Sequence, residues 1–233
     1  IFSLRNIPDT DRIKHFLDSE QPKSAVVVGG GYIGLEMVEN LAARGVHVTV
    51  VEMADQVMAP LDFEMAAVVR THLVDNGVSL YLENSVTGFS TTNEQLLVHT
   101  GNGNDLTCDM VLLAVGVRPE NGLARDAGLA IGERGGILTD AAMRTSDPHI
   151  FAIGDAVEVK DFVGGRPAMI PLAGPANKQG RIAADNAMGR KSLFRGTLGT
   201  AIVKIFNLTA ASAGLKEKTM RQALKSDRAR TVV

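Results

Sequence analysis

The run Ala25-Val26-Val27-Val28 passes without a break into Gly29-Gly30-Gly31-Tyr32-Ile33-Gly34, and no other stretch restricts the fold so much. A continuous apolar run of this length is the pattern of a strand covered on both faces, as in the middle of a parallel sheet. Gly29, Gly31 and Gly34 then form G-x-G-x-x-G where strand gives way to helix. Gly29 permits the tight turn, Gly31 lets a pyrophosphate approach the backbone, and Gly34 lets helix and strand pack closely. The N–H groups at the helix start, with Ile33 among the contacts, face an anion. Glycine in a turn is often mere punctuation. Here the strand before it and the helix pattern after it support a dinucleotide site.

Glu52 closes the next strand, His47 to Val51, about 20 residues past the motif, where an acidic side chain hydrogen-bonds both hydroxyls of an adenosine ribose. By itself a Glu at a strand end is a solvated charge. Behind this turn it selects against a 2′-phosphate, because two like charges about 4 Å apart repel by roughly 1–4 kcal/mol. Met53, Ala54 and Asp55 supply no cation to offset that repulsion. NADH is therefore expected over NADPH.

The 233 residues can bury a substantial core in one or two domains. A net charge of −2 gives no reason to invoke nucleic acid or an anionic membrane. The apolar runs are too short to span a bilayer and no signal peptide opens the chain, so cytoplasm is the default. Cys108 is the only cysteine, which excludes an intrachain disulfide and any Cys-x-x-Cys site. His15, His47, His72, His99 and His149 show no metal-ligand spacing.

Along the chain, Asp9 or Thr10 can cap a helix reaching Glu20. A helix follows Gly34 with Leu35, Val38, Leu41 and Ala42 at helical spacing. Another runs from Asp62 to Asp75 with Met65, Val68, Val69 and Leu73 inward. Strands are expected at Leu80 to Leu82 and Met110 to Ala114, with an antiparallel meander between Ser85 and Thr107. From Glu120 the pattern changes. A short helix within Asn121 to Gly128, a hairpin at Gly135 to Ile137, an extended link from Thr139 to Ser146 and a central strand from His149 to Ile153 are expected. A helix from Leu172 to Met188, a strand from Ala201 to Phe206, a partial helix from Lys216 to Leu224 and a solvated basic end from Arg221 to Arg230 complete the reading. The class is α/β: a Rossmann-like NAD-binding domain with an antiparallel meander, at residues 1–119.

Four segments stand in one order: Val26 to Glu36, Leu112 to Pro119, Thr145 to Ala156 and Pro171 to Asn177. This set resembles the pyridine nucleotide-disulfide oxidoreductases, in particular the coenzyme A-disulfide reductase, NADH-dependent persulfide reductase and NADH oxidase branch. The resemblance reaches about Met220. It implies that residues 120–195 are the C-terminal half of an FAD-binding domain and that 196–233 begin an interface domain cut short. Asp155, after Gly154, then takes hydrogen bonds from the ribityl chain of FAD, the alternative being a helix cap. Leu172 and Ala173 present N–H groups to the flavin's pyrimidine edge. Tyr32 gates the nicotinamide site or simply packs. Glu36 meets the carboxamide or a nearby cation, unless it is an ordinary surface Glu. Val115 and Gly116 lie along the dinucleotide by backbone contact.

Such enzymes pass hydride from NADH to FAD and on to a disulfide or persulfide, acting on a small sulfur substrate as homodimers. An oxidase or peroxidase, or a noncatalytic NAD-binding module, stands as the alternative. The family's redox cysteine lies on an N-terminal half that this chain does not contain. Cys108 precedes a buried strand, reads as structural, and leaves no catalytic residue to assign. The chain is expected to be inactive alone.

Overall fold

The computed structural model describes residues 1–92 and 95–224. The chain divides into two compact units, one of Ile1–Gly116 with Ile202–Ala210, the other of Val117–Ala201 with Ala211–Val233.

In the first unit the elements run β1 (Phe2–Ser3), α1 (Ile7–Glu20), β2 (Ser24–Val28), α2 (Tyr32–Ala42), β3 (His47–Val51), α3 (Phe63–Asp75), β4 (Ser79–Tyr81), β5 (Val86–Thr92), β6 (Gln95–Thr100), β7 (Leu106–Cys108) and β8 (Met110–Leu113). A five-stranded parallel sheet has the order β1-β8-β2-β3-β4, with Val26 opposite Thr49 on one side and Val111 on the other. The run in β2 is apolar throughout because its alternate side chains enter different cores. Ala25 and Val27 join the large cluster with Leu35, Val38 and Leu41 of α2. Val26 and Val28 join a smaller one with Val98, Cys108 and Val111. The meander, ordered β5-β6-β7 and antiparallel, supplies Val98 and Cys108 to that second face.

Two expectations within this unit are corrected. Asn6, not Asp9 or Thr10, caps α1: its side chain accepts the Asp9 N–H at 3.0 Å, and the Asp9 carboxylate accepts the Asn6 and Arg5 N–H groups at 3.3 and 2.9 Å. That is a reciprocal capping box, in which a side chain three residues on returns the bond. Met65 and Val68 are exposed, while Ala66, Val69 and Leu73 are buried. Steps of three and four residues put these three on one stripe, and Met65 and Val68 lie about 100° away from it.

In the second unit come α4 (Gly122–Asp126), β9 (Ile137–Leu138), β10 (Val157–Lys160), β11 (Pro167–Met169) and α5 (Ala173–Ala187). Their sheet has the order β11-β10-β9, parallel between β9 and β10 and antiparallel between β10 and β11. Ala124, Ile137, Met143, Val157, Val159 and Phe194 form its core, against which Ile182 and Ala183 of α5 pack. The expected hairpin at Gly135 to Ile137 is present as an Ile131–Ile137 bridge.

The link from Thr139 to Ser146 is a turn rather than extended chain. The Asp140 carboxylate accepts the Ala142 and Arg144 N–H groups at 2.8 and 2.9 Å and bends the backbone so that Met143 is buried. His149 to Ile153 forms no strand. Among the described residues its one bridge is Arg144–Phe151, and Ile150 and Ile153 remain exposed. An apolar run becomes a strand only when neighbours complete its ladder of hydrogen bonds.

Last in sequence are β12 (Ala201–Ile205), β13 (Leu208–Ser212) and α6 (Glu217–Leu224). The β12–β13 hairpin brings Val203 and Ile205 into the large cluster of the first unit, and Lys204 Nζ pairs with Glu39 Oε1 at 2.8 Å. Strand β13 has no counterpart in the sequence reading. Its Ala and Ser are poor strand formers, and pairing with β12 supplies what composition does not. The expected basic end beyond residue 224 lies outside the described residues.

Candidate cofactor sites

At the end of β2 the chain turns at Gly29, whose φ is +107°. A Cβ there would lie 2.4 Å from the Ala114 carbonyl oxygen, and one on Gly34 would lie 2.1 Å from the Gly29 carbonyl oxygen. Both glycines are required by backbone packing. Gly31 differs: its φ of −83° suits any residue, and a Cβ would meet nothing within 4 Å. That position is open. Gly31 is the N-cap of α2 with no side-chain cap, so the N–H groups of the first turn, Tyr32 and Ile33 among them, have no partner within the helix. Their partial positive charge suits a phosphate. Tyr32 is half-buried against the large cluster, and Ile33 and Glu36 are exposed.

Glu52 stands beside this turn at the end of β3. Its Oε2 accepts the Gly30 N–H at 2.7 Å and its Oε1 accepts the Ala54 N–H at 2.8 Å. The Glu52 backbone is held as well, donating to Tyr81 O at 2.9 Å and accepting from Asn84 N at 3.0 Å. Each carboxylate oxygen keeps a further lone pair for a hydroxyl donor. Val115, exposed, and Gly116, at φ +98°, follow β8, whose extension Ala114 donates to Val28 O at 2.8 Å. Strands β8, β2 and β3 are adjacent, so Gly29, Gly31, Gly34, Glu52, Val115 and Gly116 converge at their carboxyl ends. The crossover direction reverses between β8 and β2, which is where ligands bind in open α/β sheets.

In the second unit Gly154, at φ +81°, opens a short 3-10 turn to Ala156 that exposes the Asp155 carboxylate. The Gly154 N–H donates to Gln179 Oε1 at 2.7 Å, and Gln179, on α5, is 2% exposed. Helix α5 starts at Ala173 after the N-cap Leu172, without a side-chain cap. The Leu172 N–H is already donated to Ile170 O at 2.9 Å, and Ala176 N–H returns to Leu172 O at 3.2 Å. Pro175 has no N–H, so helix geometry leaves the Ala173 and Gly174 N–H groups for an external acceptor. A groove of about 420 Å³ runs along this helix, lined by Ile153, Ala176, Asn177, Gly180 and Arg181.

Gln179 and the amide contacts of Glu52 were not legible in the sequence, since neither belongs to a motif of fixed spacing. Cys108 is 1% exposed, and burial pushes its thiol up to about 11. Such a thiol is a poor nucleophile at neutral pH. Among the described residues no group of three His, Cys, Asp or Glu could hold a metal. His99 Nε2 lies 2.8 Å from Ser90 Oγ and its Nδ1 2.7 Å from Asp105 Oδ2, on an exposed face of the meander. The groove along α5 is not lined by these three residues, and their bonds tie β5 to β6 and the turn after it.

The family profile described as pyridine nucleotide-disulphide oxidoreductase matches residues 1–183. The chain belongs to this family. The NAD(P)H sulfur oxidoreductase (CoA-dependent) of Pyrococcus abyssi is 34% identical over 218 residues, which cover 93% of this chain and 48% of that protein. The chain thus spans about half the length of the curated relatives it matches. Reduced CoADR-RHD of Bacillus anthracis is 52% identical with a TM-score of 0.92, over 96% of this chain and 40% of that one. A FAD-dependent pyridine nucleotide-disulphide oxidoreductase from Desulfovibrio vulgaris is 37% identical with a TM-score of 0.86, over 95% of this chain and 56% of that one. No described helix is long and apolar enough to cross a membrane.

Proposed function

We propose that this chain is part of a flavin-dependent oxidoreductase that passes hydride from NADH to FAD and on to a disulfide or persulfide of a small sulfur substrate. In this reading residues 1–119 bind NADH, 120–195 contribute to the FAD site, and 196–233 begin an interface domain of a cytoplasmic homodimer. The observation that carries it is the open position at Gly31, ahead of an uncapped helix and flanked by a fixed carboxylate at Glu52. When bound, FAD accepts hydride from the nicotinamide and delivers electrons to sulfur.

The residues act by binding and orientation. Gly31 admits the pyrophosphate to the N-terminus of α2. Glu52 accepts the ribose hydroxyls and disfavours a 2′-phosphate. Tyr32 covers the nicotinamide, Glu36 meets its carboxamide or a cation, and Val115 and Gly116 flank the dinucleotide through backbone groups. Asp155 fits the flavin because an exposed carboxylate on a fixed turn is a strong acceptor for ribityl hydroxyls. Ala173, with Leu172 at the cap, offers the end of α5 to the pyrimidine edge, and the helix dipole favours negative charge there. The redox cysteine is assigned outside this chain, because Cys108 is buried and its thiol stays protonated.

The chain as it stands should bind NADH weakly, lack flavin absorbance and not turn over a disulfide, because the resemblance assigns the flavin's pyrophosphate cradle to another half. The full-length protein should be yellow and reduce coenzyme A disulfide or persulfide with NADH. Oxygen consumption without a sulfur substrate would favour an oxidase. A yellow preparation of this chain alone that reduces coenzyme A disulfide with NADH would overturn the assignment of the cradle and cysteine elsewhere.

A further inference from the structure

We infer that Gln179 is a positioning residue for flavin: it sets the turn that presents Asp155 relative to helix α5, whose N-terminus supplies the other contacts. The inference rests on the flavin reading of Asp155, Leu172 and Ala173 proposed above.

Gln179 is a polar side chain in a buried place. It is 2% exposed on α5, two turns beyond the N-terminal residues Leu172 and Ala173. Its Oε1 accepts the N–H of Gly154, the residue immediately before Asp155, at 2.7 Å. Gly154 needs this hold. Its φ of +81° places it in the left-handed region, and the turn it opens is a single 3-10 turn with no side-chain cap. A one-turn 3-10 segment has little stability of its own. A buried amide bond to its first N–H therefore selects one backbone state among several.

Two flavin contacts of different kind then become one rigid unit. The Asp155 carboxylate is carried by the turn, and the Ala173 and Gly174 N–H groups belong to α5. Gln179 belongs to α5 and bonds the turn directly, so it transmits the helix position to the carboxylate. Gly180, next in the chain, faces Ile153, the residue before Gly154: a Cβ there would be in ordinary contact with Ile153 Cδ1 at 3.4 Å. A ligand that touches both the turn and the helix end gains from this tie because neither contact must be ordered on binding.

The test uses the full-length protein with Gln179→Leu, Gln179→Glu and Asn186→Ala. Gln179→Leu removes the acceptor while keeping bulk. Gln179→Glu keeps an oxygen acceptor in either protonation state. Asn186 lies on the same helix, where its amide donates to Ala142, Ile182 and Ser192 carbonyls, so its replacement lowers stability without touching the turn. FAD affinity is measured by flavin fluorescence after deflavination, and amide exchange of residues 154–156 by mass spectrometry. Gln179→Leu should raise the FAD dissociation constant and the exchange rate each about tenfold, as loss of one buried hydrogen bond implies. Gln179→Glu should restore most of both, and Asn186→Ala should leave both within about threefold.

Gln179→Leu with unchanged exchange or unchanged FAD affinity overturns the inference while leaving the flavin reading intact. So does an equal loss of affinity in Asn186→Ala. A wild-type protein that takes up no flavin overturns the flavin reading, and this inference with it.

Discussion

Glu52 Oε2 accepts the Gly30 N–H at 2.7 Å, so the carboxylate proposed to read the ribose is also the brace of the glycine turn that would cradle the pyrophosphate. With Oε1 on the Ala54 N–H at 2.8 Å, both oxygens are committed to backbone donors before any ligand arrives. Glu52→Gln turns an NH2 group toward one of those donors. Unfolding by urea should show a loss of about 1–3 kcal/mol, the usual consequence of an unsatisfied, partly buried N–H. NADH affinity should fall roughly tenfold, and discrimination against NADPH should narrow as the charge is removed. Equal or tighter NADPH binding by the wild type, in a fluorescence titration, would remove the selector role.

The glycines of the turn should respond differently to the same substitution. Gly34→Ala places a methyl 2.1 Å from the Gly29 carbonyl oxygen, which forces α2 off β2. A loss of about 1–3 kcal/mol is expected, typical of overpacking, with a lowered melting temperature. Gly31→Ala meets open space at an ordinary φ and should leave the melting temperature unchanged or slightly raised. It should nevertheless weaken NADH binding by an order of magnitude or more, because the methyl would occupy the proposed approach of the pyrophosphate. Calorimetric titration of both variants separates packing from binding. Tight NADH binding by Gly31→Ala would place the ligand elsewhere.

Cys108 should resist thiol reagents. With burial pushing its thiol to about 11 from an ordinary 9.0, the folded protein at pH 7.5 should react with a chromogenic disulfide far more slowly than the urea-unfolded chain. The raised value belongs to the folded state, so its contribution to stability is complete below pH 9 and is lost as pH rises toward 11. Cys108→Ala should remove that alkaline loss. Rapid labelling of native protein at pH 7.5 would contradict the buried assignment.

Asp109 joins the turn before β8 to the start of β2. Burial pushes its carboxyl up, but the Gln95 amide, the Lys23 and Ser24 N–H groups and the Ser24 hydroxyl outweigh it, and the net value lies below the ordinary 3.8. The three donors on Oδ2 lie at 2.8, 2.9 and 3.0 Å. A lowered value in the folded state gives stability that is complete above pH 3.8 and is lost as pH falls from there through the lower folded value. Asp109→Ala should cost about 2 kcal/mol at pH 7, read by urea midpoint, and should flatten the acid limb of the stability curve. An unchanged acid limb would show that other carboxylates control it.

Local chemistry made much of the first unit legible. The valines of β2, the spacing of Leu35, Val38 and Leu41, and the turn at Gly29 each express a preference that acts within a few residues, and the structure follows them. Preference alone misjudged places where a distant partner decides. Met65 and Val68 are as apolar as their neighbours but face outward, because only the helix phase set by Leu73 and Val69 determines the inward stripe. His149 to Ile153 reads as a strand but gains only one bridge among the described residues, whereas Leu208 to Ser212, for which the sequence suggests no element, is made a strand by β12. The candidate sites divide the same way. The glycines and Glu52 could be named from spacing, since motif and strand end lie close in sequence. That β8 lies beside β2, bringing Val115 and Gly116 to the same edge, and that Gln179 reaches back 25 residues to hold Gly154, were decided only in three dimensions, because hydrogen bonds and packing between distant segments leave no periodic trace in the chain.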